Sequence, residues 1–154
     1  MRLRDYLRPD LVLSPLRARD TASALEAIAD RLAEAGAVDS RQETLAALAA
    51  REETHTTVLG HGMALPHATL PGLHQPLILL ALAPEPVPFG PAGTEPVRIF
   101  FTLLSPPGFE GEHIKILARI CRLVRHPGFV DDLMGSPDPD RALALVRSVD
   151  EQHV

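Results

Sequence analysis

Apolar residues recur at helical spacing from about Thr21 to Ala35, where Leu25, Ile28, Ala29 and Leu32 share one face. Gly36 suits the left-handed residue that ends such a helix. A second helix is expected from Ser40, which forms an S-x-x-E capping box with Glu43 ahead of the stripe Leu45, Leu48 and Ala49. The periodicity then stops. From Thr54 to Pro76 the chain is rich in Gly, His, Thr and Pro, and predicts a long loop with a short extended piece near Met63–Leu65. Two apolar runs follow, Leu77–Ala83 and Val97–Leu104, without helical period and bounded by prolines, which predicts buried strands. Seven of the fifteen prolines lie between Pro84 and Pro107, so a rigid, non-helical connection is expected there.

A further helix is expected from about Glu112 to Val124, with Ile114, Leu117, Cys121 and Val124 inward. Lys115, Arg119, Arg122 and Arg125 would then line a solvated face. His126-Pro127-Gly128 breaks the chain, and Asp138-Pro139 opens a last helix to about Val149. Helices on either side of two central apolar strands predict a layered α/β domain spanning residues 1–154.

Composition narrows the function. Hydrophobic residues at 45% and charged residues at 23% place the chain among ordinary soluble globular proteins. A net charge of −5 lacks the broad basic field that nucleic acid requires, so no nucleic-acid partner is expected. The single cysteine, Cys121, excludes an intramolecular disulfide and reads as a buried thiol. The N-terminus has no apolar stretch of the signal-peptide kind, and the run Leu77–Ala83 is far short of the ~20 residues that span a bilayer. A cytoplasmic protein without direct membrane insertion is expected.

Chemistry concentrates in the segment Arg51 to His67, where Gly60 and Gly62 free the backbone and Pro66 stiffens the stem before His67. Imidazole suits phosphoryl relay, because a pKa of ~6.5 leaves much of it neutral and nucleophilic. A phosphoryl group there would need nearby cations and donors. Arg51, at the end of the second helix, and His113, in the first turn of the helix near Glu112, are the candidates. Each has a plain structural reading too: a loop imidazole, a helix-end cation, a helix-capping histidine. His55, His61 and His74 match no standard zinc spacing with His67, so neither a metal nor another cofactor is expected.

Arg51-Glu52 followed by Gly60-x-Gly62-x-Ala64-x-Pro66-His67 resembles the signature of the fructose, mannitol and nitrogen-related enzyme IIA family of the bacterial phosphotransferase system. The second block, Pro96-Val97, Ile99–Leu104, Glu112-His113 and Leu117-Ala118, resembles it too. The resemblance implies a mixed β-sheet covered by helices. It implies that His67 is phosphorylated by the histidine phosphocarrier protein, with His113 and Arg51 lining its site. Onward transfer would go to an enzyme IIB domain, or the phosphorylation state would be read by a regulatory target protein. Thr69, where many nitrogen-related members carry a basic residue, and the stretch Phe89–Gly93, in place of an acidic residue, depart from the pattern. A regulatory interaction module that has lost phosphotransfer is the alternative. A hydrolase would need a nucleophile motif that the chain lacks.

Overall fold

The structure, a computed structural model, describes residues 2–135 and 138–153. Along the chain run β1 (Leu7–Leu13), α1 (Thr21–Glu34), α2 (Arg41–Thr54), β2 (Val58–Gly60), β3 (Met63–Ala64) and β4 (His67–Thr69). They are followed by β5 (Leu77–Val87), β6 (Val97–Ser105), α3 (Glu110–Arg125), α4 (Phe129–Met134) and α5 (Pro139–Gln152). The strands form one mixed sheet in the order β1-β5-β6-β3-β2, with β4 also on β6. β5 is antiparallel to β6, β1 parallel to β5, and both β3 and β4 parallel to β6.

The expected mixed sheet flanked by helices is thus present, and its burial explains the sequence pattern. On β6, Ile99, Phe101 and Leu103 enter one core with Ile116, Ile120 and Val146 of α3 and α5. Phe100 and Leu104 enter the other with Leu25, Ile28 and Leu48 of α1 and α2. A strand covered on both faces reads as an unbroken apolar run rather than an alternation. Gly36 has φ 68°, the left-handed turn expected after α1. Ser40 accepts from the Glu43 N–H at 3.1 Å and caps α2.

Several expectations need correction. Within the Thr54–Pro76 segment β3 is the short extended piece expected near Met63–Leu65, but the rest is not one irregular loop, because β2 and β4 also lie within it. Strands of two or three residues are too short to show a period; β3 and β4 pair with β6, more than thirty residues away, and β2 with β3. β1 escaped notice because Arg8-Pro9-Asp10 interrupts its apolar positions; those exposed residues lie where the pairing with β5 shifts register. β5 continues past Ala83 through Pro84 and Pro86 to Val87, since proline and the residue before it favour extended backbone. The pairing with β6 shifts register there, between Leu82 and Val87. α4 follows the His126–Gly128 break directly.

α3 is rotated from its expected orientation. Ile116, Ile120 and Leu123 are buried, while Leu117, Cys121 and Val124 pack partly against the core and Ile114 is 66% exposed. Two stripes of helical spacing share this helix, and the sheet took the other one. Arg119 also leaves the solvated face: its side chain is only 13% exposed and meets Asp150, in the last turn of α5, at 2.7 Å. The buried Asp150 carboxylate also accepts the Leu3 N–H at 2.8 Å, tying both chain ends to α3. Among the described residues no helix is long and apolar enough to cross a membrane.

Removing one partner of a buried ion pair strands the other charge and costs about 3 kcal/mol or more. Asp150→Ala is therefore expected to lower the unfolding free energy by about that amount. Urea denaturation measures it, and an unchanged midpoint would show that Asp150 does not hold the ends.

Candidate functional site

β4 is only three residues long, yet its place is fixed by the register pairs His67 with Leu103, Ala68 with Leu104 and Thr69 with Ser105. Just before it, the Pro66 carbonyl accepts the Leu103 N–H at 2.9 Å. Pro66 fixes its own φ and has no N–H to leave unpaired, so the stem before His67 is stiff.

A series of hydrogen bonds then runs from α2 to the imidazole. Glu52 accepts the Thr57 N–H at 2.7 Å on one carboxylate oxygen and the Thr57 hydroxyl at 2.6 Å on the other. The Thr57 carbonyl accepts the Leu65 N–H at 2.9 Å. The Leu65 carbonyl accepts from His67 Nδ1 at 2.8 Å. A carbonyl can only accept, so the His67 proton sits on Nδ1 and the Nε2 lone pair is free. The Glu52 carboxylate thus braces, through Thr57, the segment whose Leu65 carbonyl sets the tautomer.

The Phe89–Gly93 stretch braces the same arm. Gly90 adopts φ 85°, and a Cβ there would stand 2.9 Å from Thr56 Oγ1 and 3.2 Å from Val58 Cγ2. Its N–H donates to Thr21 Oγ1 at 2.9 Å, which links the arm to the start of α1. Any side chain at this position would push Thr56 outward.

His113 comes to the site from the first turn of α3. Its N–H already donates to the Phe109 carbonyl at 2.9 Å, so the free amides of the α3 N-terminus belong to the residues before it. Its ring lies 5.5 Å from that of His67, centroid to centroid, tilted by 58°. Ser105 Oγ lies 2.6 Å from its Nδ1. Arg51, in the last turn of α2, donates from Nη1 to the His55 carbonyl at 3.1 Å.

Burial pushes the His67 pKa below its ordinary value, and the Arg51 charge adds to this; the Leu65 hydrogen bond and Glu52 act the other way. Burial also lowers the His113 pKa, with a smaller effect from His67. Burial thus favours the neutral form of both rings.

The structure therefore gathers His67, His113 and the charge of Arg51 in one place. His55, His61 and His74 stay exposed. Among the described residues no three His, Cys, Asp or Glu side chains converge as metal ligands would. Beside His113 a cavity of about 230 Å³ is lined by Thr69, Ser105, Phe109, His113 and the exposed Ile114. Sequence reasoning missed Ser105, Thr57 and the Leu65 carbonyl. Thr57 lay inside the informative segment but carried no distinguishing signal, and Ser105 passed as the residue after an apolar strand.

A family model described as "Phosphoenolpyruvate-dependent sugar phosphotransferase system, EIIA 2" matches residues 5–149. The nitrogen regulatory protein of Bradyrhizobium diazoefficiens is 34% identical over 138 residues, 90% of each chain. The fructose-specific EIIA component of Haloferax volcanii is 31% identical over 111 residues, 72% of each chain. The crystal structure of nitrogen regulatory protein IIA-Ntr from Neisseria meningitidis superposes with a TM-score of 0.84 at 25% identity, covering 92% of this chain and 97% of that one. The model match spans almost the whole chain, both histidine blocks included, and the chain belongs to the EIIA 2 family of the phosphoenolpyruvate-dependent sugar phosphotransferase system.

Proposed function

We propose that His67 is a phosphohistidine carrier, accepting a phosphoryl group on Nε2 from the histidine phosphocarrier protein and passing it to an enzyme IIB domain or holding it as a regulatory signal. One observation carries this reading: the bond from Nδ1 to the Leu65 carbonyl leaves Nε2 as the only lone pair on a neutral, half-buried ring. EIIA components of this system transfer phosphoryl groups between proteins. In the step proposed, the Nε2–P bond forms as the bond from phosphorus to the donor's imidazole breaks. The proton stays on Nδ1, donated to the Leu65 carbonyl, throughout. Catalysis is then positioning and charge stabilisation. Arg51 offsets the charge of the phosphoryl oxygens, and the neutral His113 ring donates one N–H to them across the gap between the rings. The exposed Ile114 and the cavity beside it offer an apolar footing for the protein partners. Similarity to a nitrogen regulatory protein over 90% of the chain favours the regulatory use, while the family description keeps transport of a sugar in view.

Incubation with phosphoenolpyruvate, enzyme I and the histidine phosphocarrier protein is expected to label the chain through an acid-labile phosphoramidate, without ATP. His67→Ala is expected to abolish the label with the fold intact; a labelled variant would sink the assignment. Arg51→Gln and His113→Ala should still accept phosphate but more slowly, by about tenfold or more for a lost hydrogen bond of ~1.5–3 kcal/mol to a charged group. Transfer at the wild-type rate in either would remove that residue from the site.

The neutral rings also predict a pH dependence. Both folded pKa values lie below the ordinary ~6.5, so the unfolded chain binds more protons in between. Stability from these rings is full above about pH 6.5 and is lost as pH falls through the folded values. Urea unfolding over a pH series should show this slope, and His67→Gln with His113→Gln should flatten it. Parallel curves for the two proteins would show that neither ring is held neutral.

A further inference from the structure

Ser105 ends β6, pairs in register with Thr69 two residues beyond His67, and is buried at 2% exposure. Its hydroxyl lies 2.6 Å from His113 Nδ1, and among the described residues that is its one hydrogen-bond partner. A buried hydroxyl carries one proton that needs an acceptor, and leaving it without one is costly. The pair has two arrangements. If His113 Nδ1 donated, the serine proton would have no acceptor among the described residues and would face only the small cavity beside it. If the serine donates, its proton enters the Nδ1 lone pair and both groups are satisfied. The second arrangement places the imidazole proton on Nε2, because the tautomer of a neutral histidine is set by what its other nitrogen bonds.

We propose that Ser105 is a positioning residue that holds His113 in the Nε2–H tautomer and so keeps it a hydrogen-bond donor to the phosphoryl group on His67. This rests on the phosphocarrier reading and adds a role that reading does not need. The two imidazoles are then held in opposite tautomers by opposite means. An acceptor, the Leu65 carbonyl, leaves His67 a lone pair for attack. A donor, the Ser105 hydroxyl, leaves His113 a proton to give. Both devices hang on one strand pair: the Pro66 carbonyl and His67 are set by Leu103, and Ser105 follows Leu103 by two residues. Without the serine, His113 is free to take the Nδ1–H form, which presents a lone pair to the anionic oxygens.

The test measures the tautomer and the rate separately. In the unphosphorylated protein, long-range ¹⁵N–¹H correlation spectra should show His113 as the Nε2–H tautomer, and Ser105→Ala should raise the Nδ1–H fraction. Phosphoryl acceptance by Ser105→Ala should slow about three- to tenfold, the effect of one modest hydrogen bond. Ser105→Thr, which keeps a hydroxyl, should restore the tautomer. In a His113→Ala background, Ser105→Ala should slow acceptance no further, whereas a merely structural serine would slow both backgrounds alike. An Nδ1–H tautomer in the wild type, an unchanged tautomer ratio in Ser105→Ala, or equal slowing in both backgrounds would each overturn the proposal. The phosphocarrier reading fails differently, through phosphate acceptance that survives His67→Ala.

Discussion

The backbone of β6 is the constraint on which the rest depends. A strand buried on both faces must pair its N–H and C=O groups on both edges, since leaving them unmade inside the protein is costly. β5 satisfies one edge over most of its length. The other edge is satisfied in two pieces: β3 against Ile99 and Phe100, and β4 against Leu103 to Ser105. Between them Leu65 and Pro66 bridge the gap, and the Leu103 N–H takes the Pro66 carbonyl. The segment with the richest chemistry is therefore stitched to a strand buried on both faces. A side chain that must meet a partner in one geometry gains from such a mount, because little motion remains to be frozen out.

Electrostatics follows from this placement. Two imidazoles brought together in a half-buried site repel if both are charged, and burial disfavours the charged form of each. Arg51 remains the cation, and it stands close enough to depress the His67 pKa. Its guanidinium donates to the His55 carbonyl at the end of α2, and among the described residues it enters no ion pair with a carboxylate. Glu52, the carboxylate next to it in sequence, is turned away to hold Thr57 with both oxygens. Adjacent residues on one helix end thus divide the work: one keeps its charge available, and the other has its charge consumed in fixing a loop.

Much of this was legible in the sequence where a periodic pattern or a local motif carried it. α1, α2 and the cores of β5 and β6 announce themselves through apolar spacing, and Arg51, His67 and His113 stand in recognisable blocks. What stayed hidden has physical reasons. β4 owes its existence to a partner distant in sequence, so no local window contains the signal, and β2 is too short to show a period. Ile114 and Ile116 both begin plausible stripes, and only the docking of α3 on the sheet decided for the second. Arg119 looked like surface until Asp150, thirty-one positions later, received it. The Leu65 carbonyl could not be found in any sequence, since every residue has one and only the fold aims it at an imidazole.

A carrier has to give up what it takes, and this limits how strongly its site can hold the charged state. Fixed donors aimed at the phosphoryl oxygens stabilise charge without reorganisation, and a dry cage of several cations would do so strongly enough to trap the product. Here the phosphohistidine would meet one arginine already sharing its donors and one neutral imidazole at a ring distance of 5.5 Å. It would lie beside an open cavity rather than under a lid. Those are moderate stabilisers, suited to a group that arrives from one protein and leaves for another at similar energy. The strong interactions in this molecule lie elsewhere. The Glu52–Thr57 clamp and the buried Asp150–Arg119 pair act on the frame.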